Sequence, residues 1–313
     1  MKICMVGYGA IAAHHMKAFS QIDSVVPHIL VGRRAEPNAA FAHEWEFAKQ
    51  TLDLDSALAD SEVDAVVITS PNALHVPQAK QALEAGKHVL LEIPIALTYE
   101  EAKEVADLSR EVDRRLMVCH SMRYFPALKE VHRRATEGRF HIHQIIGIFG
   151  LLRRTNTTLT GQPRSWTDNL LWHNGAHLVD LALWVTGCSK PTSVTCRFGP
   201  QHPTQNIMDM SLLMDLPPGI PVTIAQSYNL SHFRWHVLFI GEEETLEFRQ
   251  GTLLDGEGKV VMPEHSISDL LEQNREFVAA VAENRDPAIT GEDVLPAMRV
   301  LQTAQEDADA HRS

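Results

Sequence analysis

No stretch of this 313-residue sequence stays apolar for long enough to cross a bilayer. The apolar opening, Lys2 to Val6, is too short for a signal-peptide core, and glycine interrupts it at once. Cysteine is scarce. Its 4 copies, Cys4, Cys119, Cys188 and Cys196, show no close pairing, so reduced thiols in a cytoplasmic protein are expected. Positive charge is outweighed as well: 28 Lys and Arg stand against 40 Asp and Glu, a net −12. That balance argues against nucleic acid and acidic membranes as partners. It also makes an anionic ligand costly unless arginines gather locally, and Arg33-Arg34 and Arg153-Arg154 are the two pairs that could do so. Low-complexity linkers and internal repeats are lacking too. What is present is an ordinary apolar content of 44%, spread over a chain long enough for two domains.

The first 120 residues alternate strand and helix. Apolar runs at 2–6, 28–32, 65–69, 88–92 and 116–119 are separated by helical spacing near 10–20, 36–48, 74–86 and 99–113. Such alternation implies right-handed βαβ units on a parallel sheet covered on both faces. Beyond residue 120 the rhythm changes. Helical patterns at 127–138 and 166–186, the latter ending at Gly187, flank a strand at 141–151. Strand candidates follow at 192–198, 207–216, 220–230, 235–240 and 244–249, with a hairpin turn at Pro217-Pro218-Gly219. Helices near 266–283 and 291–310 end the chain.

The expected fold is α/β: a Rossmann domain at 1–122, then an α+β domain at 123–313 with an open, largely antiparallel sheet. The C-terminal helix is a candidate to pack back on the first domain. An open sheet leaves one face uncovered, so a homodimer through that face is expected.

The strand at 2–6 runs straight into Gly7-Tyr8-Gly9-Ala10-Ile11-Ala12, a G-x-G-x-x-A turn. In such a turn backbone N–H groups approach a pyrophosphate and the following helix points its positive end at it. Gly7, Gly9, Ala10 and Ile11 are therefore candidate cofactor contacts. A second strand that binds NAD usually ends in Asp or Glu, which hydrogen-bonds the ribose 2′-hydroxyl. Here Arg33-Arg34 follows the strand. Two guanidinium groups suit a 2′-phosphate, so NADP is the expected cofactor.

Three further segments carry a resemblance: Thr69-Ser70-Pro71-Asn72-Ala73-Leu74-His75, Ala85 to Pro94, and Trp172-His173-Asn174-Gly175-Ala176-His177-Leu178-Val179-Asp180. With the N-terminal turn, they resemble the glucose–fructose oxidoreductase/inositol dehydrogenase family over essentially the whole chain. The resemblance implies an oxidoreductase with nicotinamide and substrate held between its two domains. It implies that Ser70, Pro71, Asn72, His75, Glu92 and Pro94 border the cofactor and that His177 is the catalytic histidine. The departures matter. The family's Glu-Lys-Pro is Glu92-Ile93-Pro94 here, so its lysine is missing, and His173 stands where most members have Asp. Phe125 also precedes Pro126 directly, where an Asn often intervenes.

Gly161 to His173, with His177 and Asp180, is similar to a subgroup of that family sharing the Glu-Ile-Pro variant and both histidines. That subgroup implies NADP-dependent oxidation of the cyclic hemiacetal of 4-carboxy-2-hydroxymuconate-6-semialdehyde to 2-pyrone-4,6-dicarboxylate. The step belongs to bacterial protocatechuate 4,5-cleavage of lignin-derived aromatic compounds. Sugar or cyclitol oxidation is the alternative within the family, and a non-catalytic NADP-binding sensor is the alternative outside it.

Four residues apart, His173 and His177 would share one helix face. A metal site has the same spacing, but Asn174 replaces the Glu base of zinc proteases, and hydride loss from a hemiacetal needs no Lewis acid; packing histidines in a helix interface is a third reading. Acid–base work is the favoured one. Neutral imidazole suits a base for the hemiacetal hydroxyl, with His177 as base and His173 polarising the same oxygen. Asp180 is placed to orient an imidazole or to pair on the helix surface. A dianionic substrate calls for cations: Arg123 and Arg164 are candidate carboxylate clamps, Ser165 and Trp166 candidate lining, and Arg153-Arg154 a candidate second pair. The arginine pair at 33–34 carries a direct expectation: kcat/KM is higher with NADP than with NAD, and a clear preference for NAD contradicts it.

Overall fold

The computed structural model describes residues 1–155, 169–203, 207–264 and 269–311. Among these, one compact unit holds residues 1–120 and 269–295, and a second holds the rest. The first unit thus regains a helix from late in the chain.

In the first unit a six-stranded parallel sheet has the order β3-β2-β1-β4-β5-β6. Its strands are β1 (Lys2–Val6), β2 (Val26–Val31), β3 (Lys49–Thr51), β4 (Ala65–Ile68), β5 (His88–Leu91) and β6 (Leu116–Val118). Helices α1 (Ala10–Phe19), α2 (Ala35–Glu44), α3 (Leu54–Leu58), α4 (His75–Glu84) and α5 (Tyr99–Glu111) lie between successive strands. Every residue of β4 is buried, as expected of a central parallel strand. α5 begins at an N-cap: the Thr98 hydroxyl accepts the Glu101 N–H at 3.2 Å and donates to its carboxylate at 3.0 Å. Its buried Ala102, Val105, Ala106 and Ser109 keep helical spacing.

Three elements differ from expectation. α2 stops at Glu44 rather than near residue 48, and β3 and α3 fill the interval before β4. β3 reads Lys-Gln-Thr, without the apolar character that marks a strand, and α3 is five residues long, held at its start by Asp53 accepting from the Asp55 N–H. The strand order places β1 beside β4, with the chain leaving them toward opposite edges. That is the switch point at which such sheets bind ligands beyond their carboxyl ends. Helix α8 (Asp269–Ala282) packs on α1.

The second unit carries an eight-stranded sheet ordered β14-β13-β12-β11-β7-β10-β9-β8. Its strands are β7 (Ile142–Leu152), β8 (Ser193–Phe198), β9 (Asp209–Leu216), β10 (Ile220–Ser227), β11 (Asn229–Gly241), β12 (Thr245–Arg249), β13 (Thr252–Asp255) and β14 (Val260–Met262). Only the β7–β10 pairing is parallel. β9 and β10 form the hairpin expected at Pro217-Pro218-Gly219. β13 and β14 are additional to the expected strands.

Alternation sets the two faces. Met210, Leu212, Met214, Val222, Ile224, Val237, Phe239, Leu246 and Phe248 are buried. On that side α6 (Pro126–Thr136) packs on β12 and β13, and α7 (Ala176–Thr186) on β7 and β10. The opposite register carries Ile146, Ile148, Ala225, Leu238 and Ile240, all partly exposed, and the exposed Leu213. α9 (Leu295–Ala310) anchors this unit too, its Asp307 accepting from the Cys196 N–H at 2.7 Å. All four cysteines are free thiols; burial pushes Cys4 and Cys196 up to about 12.

Candidate functional site

The turn after β1 is built for close approach. Gly7 has φ +113°, and a Cβ there would stand 2.7 Å from the Thr69 hydroxyl and 3.0 Å from its carbonyl oxygen, so only glycine lets β1 leave beside β4. At Gly9 a Cβ would meet nothing within 4 Å. No side chain caps α1, whose first turn also lacks acidic residues. A glycine open on one side, followed by uncapped helix N–H groups, fits a pyrophosphate. Gly9, Ala10 and Ile11 are the residues that would hold it.

Arg33 and Arg34 are exposed directly beyond β2, and Arg34 stands at the start of α2. Behind them the buried Asn38 donates to the Thr51 carbonyl at 3.1 Å and lies over Gly32, where a Cβ would come within 2.2 Å of its Oδ1. A pocket of about 530 Å³ along Ala35, Asn38, Gln50 and Thr51 adjoins this corner.

The segment after β4 is held from within. Both His75 ring nitrogens lie at hydrogen-bond distance from carbonyl oxygens, Nδ1 from Pro94 (2.7 Å) and Nε2 from Ser70 (2.9 Å). His75 is buried and ties two strand ends together, while the Ser70 hydroxyl donates to Gln78 at 2.6 Å. Pro71 precedes a short 3₁₀ turn at Asn72–Leu74. Glu92 turns inward: its Oε1 lies 2.7 Å from Nε2 of the buried His15, whose Nδ1 meets Asn274 of α8 at 3.0 Å. Burial, and then the Glu92 carboxylate, hold the Cys119 thiol well above its usual range. The peptide bond Ile93-Pro94 is cis.

In the second unit the histidine helix opens on a π-helical turn, Leu171–Gly175, that runs into α7. The Gly175 N–H donates to the Leu170 carbonyl, five residues back, at 2.9 Å. A Cβ at Gly175 would stand 3.2 Å from that carbonyl, and the Asn169 side chain accepts the Leu171 N–H at 2.9 Å. His173 therefore lies on the widened turn, and His177 on the regular helix beyond it. Around them Leu171, Trp172, Gly175, Ala176, Leu178, Val179 and Asp180 are buried, while His173, Asn174 and His177 are partly exposed. The helix ends as expected at Gly187 (φ +65°), where the N–H groups of Gly187 and Cys188 donate to the Trp184 and Leu183 carbonyls, closing a Schellman motif.

Asp180 faces Arg123. Nε of Arg123 donates to Oδ2 at 2.8 Å and Nη2 to Oδ1 at 2.5 Å, with Asp180 1% and Arg123 13% exposed at the side chain. The expected clamp thus holds a carboxylate of its own chain, and the acid expected to orient an imidazole holds a guanidinium. Nearby, the His132 ring stacks on Trp184 at 4.0 Å, and burial lowers its pKa.

Arg153 lies with its guanidinium 4.6 Å from the ring centre of the buried Tyr228. Arg154 donates to the Tyr228 carbonyl at 3.2 Å. The Tyr228 hydroxyl accepts from Asn174 at 3.3 Å, which links this arginine pair to the turn bearing His173. Arg164, Ser165 and Trp166 lie outside the described residues. Asn174, Tyr228 and Trp235, whose ring lies 6.1 Å from that of His177, were not expected at the site. A signal existed for the strand residues: Gln226 and Tyr228 carry polar atoms into a register otherwise apolar at Val222 and Ile224.

Residues 1–120 match the sequence model of the GFO_IDH_MocA family, described as an oxidoreductase family with an NAD-binding Rossmann fold. Residues 126–265 match that of the C-terminal domain of bacterial oxidoreductases. The chain is 34% identical over 310 residues to the 4-carboxy-2-hydroxymuconate-6-semialdehyde dehydrogenase of Sphingobium sp. strain SYK-6, covering 96% of each chain. Its fold matches that of UDP-N-acetylglucosamine 3-dehydrogenase from Acidithiobacillus ferrooxidans (TM-score 0.87, 21% identity, 100% and 99% of the two chains covered). It also matches that of scyllo-inositol dehydrogenase from Lactobacillus casei, solved with bound NAD(H) and scyllo-inositol (TM-score 0.84, 20% identity, 99% and 97% covered).

The buried pair at the base of the histidine helix has a measurable role in stability. Asp180→Ala removes the buried carboxylate that takes two Arg123 donors and is expected to cost about 3–5 kcal/mol, read as a lower urea midpoint at unchanged slope. A loss below about 1 kcal/mol contradicts a buried, matched pair.

Proposed function

The chain belongs to this oxidoreductase family, and from that premise we propose that it oxidises the cyclic hemiacetal of 4-carboxy-2-hydroxymuconate-6-semialdehyde to 2-pyrone-4,6-dicarboxylate with NADP. The observation that carries the reading is the set of polar groups on one helix opening: His173, Asn174 and His177 are the partly exposed residues of a buried segment, and Asn174 connects through Tyr228 to Arg153. Similarity to the Sphingobium dehydrogenase along almost the whole chain supports the same substrate. Ile93 in place of the family's lysine sets this site apart from the usual sugar chemistry.

Oxidation requires the hemiacetal carbon to lose a hydride while its hydroxyl loses a proton, so that the C–O bond becomes a lactone carbonyl. When bound, the nicotinamide supplies the acceptor for the hydride. His177 takes the hydroxyl proton, a task suited to neutral imidazole. His173 donates to or accepts from the same oxygen, standing in for the absent lysine. Arg153 and Arg154 draw the substrate carboxylates, with Arg164, Ser165 and Trp166 proposed to complete that contact. Arg123 acts indirectly, by fixing the helix through Asp180. Gly7, Gly9, Ala10 and Ile11 hold the cofactor phosphates, and Arg33 with Arg34 hold the 2′-phosphate. Ser70, Pro71, Asn72, His75, Glu92 and Pro94 shape the nicotinamide side, with His75 and Glu92 acting through the bonds that hold the strand ends.

A homodimer is proposed through the partly exposed face of the eight-stranded sheet, where Ile146, Ile148, Leu238 and Ile240 present apolar surface. Light scattering at micromolar concentration is expected to give twice the chain mass; the monomer mass contradicts pairing. The reaction is tested by following reduced nicotinamide with the semialdehyde and, separately, with sugars and inositols. Turnover of the semialdehyde alone is expected, and turnover of sugars alone overturns the assignment. His177→Ala is expected to lower kcat by roughly 10²–10⁴-fold, and a loss under about tenfold removes His177 as the base.

A further inference from the structure

Two side chains beside the histidine helix carry polar atoms that find no partner among the described residues. Both amide atoms of Gln226 and the indole N–H of Trp235 are buried and unpaired. Gln226 is 3% exposed and reaches the π-turn, its Nε2 lying 3.5 Å from where a Cβ on Gly175 would stand. Trp235 borders the other histidine, its ring centre 6.1 Å from that of His177. Each such polar group costs about 1–3 kcal/mol when left without a partner.

The groups sit beside an aromatic cluster, in which Phe149 and Phe248 are buried. Trp235 packs edge-on with Phe149 (5.8 Å), Phe125 (5.7 Å) and Phe248 (6.3 Å). Phe149 in turn meets Phe233 at 5.9 Å and 88°. Phe233 is 51% exposed, a large apolar ring at the open end of an otherwise covered cluster. The ground beside His177 therefore offers the rings of the partly exposed Trp235 and the exposed Phe233, one indole donor and one amide that both donates and accepts. That combination complements a flat ring rimmed by acceptor oxygens, stacked on one side and hydrogen-bonded at its edge.

We propose that Gln226, Trp235 and Phe233 form a specificity subsite for a planar, conjugated, carboxylated ring, with Trp235 Nε1 and Gln226 Nε2 donating to its oxygens. The subsite rests on the function proposed above and names the residues that select a flat ring there. It leaves proton removal to the histidines, so its loss acts on binding before chemistry.

The test is calorimetric titration of the NADPH-loaded protein with 2-pyrone-4,6-dicarboxylate and with benzene-1,3-dicarboxylate, neither of which requires turnover. The wild-type chain is expected to bind both. Gln226→Leu, Trp235→Phe and Phe233→Ala are each expected to weaken binding by roughly tenfold or more. The thermal midpoints of ligand-free Gln226→Leu and Trp235→Phe are expected to equal or exceed that of the wild type, because neither change removes a hydrogen bond made among the described residues. Binding equal to wild type in all three variants overturns the subsite while leaving the proposed reaction standing. A lowered ligand-free midpoint in both polar variants overturns it also, since the groups would then be structural. A wild-type chain that binds neither dicarboxylate yet oxidises sugars overturns the proposed function, and the subsite with it.

Discussion

The arrangement of the second unit depends on one buried ion pair. Asp180, almost wholly buried in α7, is held by two parallel N–H donors from Arg123, which lies in the short turn after β6. A carboxylate this deep needs a matched partner, and the planar guanidinium supplies it in a fixed geometry. The pair fixes the rotation of the helix about its own axis. Asp180 points to Arg123, and the histidines three and seven residues earlier are left at the partly exposed surface. At its other end the helix is set by the Asn169 cap and the glycine that admits the π-turn. The candidate base thus lies between two local constraints, one electrostatic and one steric.

The chemistry divides between the units. The first offers an anion cradle: a glycine that alone permits the strand exit, a second glycine open to a ligand, and uncapped N–H groups behind it. The arginines past β2 add local positive charge, in a chain whose net charge is −12. The second unit offers imidazoles, an arginine stacked on a buried tyrosine, and an aromatic surface. Family membership establishes an oxidoreductase. Replacement of the family's lysine by Ile93, together with a second histidine on the helix, directs the proposal to a hemiacetal rather than a sugar.

Much of this was legible in the sequence for physical reasons. Parallel strands buried on both faces read as continuous apolar runs, so β1, β4 and β5 stood out, and Gly187 marked its helix end because a left-handed C-cap favours glycine. β3 was hidden because Lys-Gln-Thr carries no apolar pattern, and α3 because a five-residue helix is defined by its cap rather than by periodicity. The histidines were legible by spacing, but the π-turn was not, since it depends on how closely Gly175 approaches the Leu170 carbonyl. The partner of Arg123 was hidden for a similar reason: 57 residues separate it from Asp180, and no local pattern pairs residues at that range. The roles proposed for Gln226 and Trp235 rest on polar atoms that have no partner among the described residues, which only a folded structure displays.

Hydride transfer from a hemiacetal carbon to nicotinamide is the role proposed for the helix bearing His173 and His177. It is tested most directly with semialdehyde deuterated at the aldehyde carbon, incubated with NADP and the full chain, with both products examined by mass spectrometry and NMR. One deuterium at nicotinamide C4 is expected for each 2-pyrone-4,6-dicarboxylate formed. Lactone without deuterium in the cofactor, or no lactone while sugars are oxidised, would contradict it.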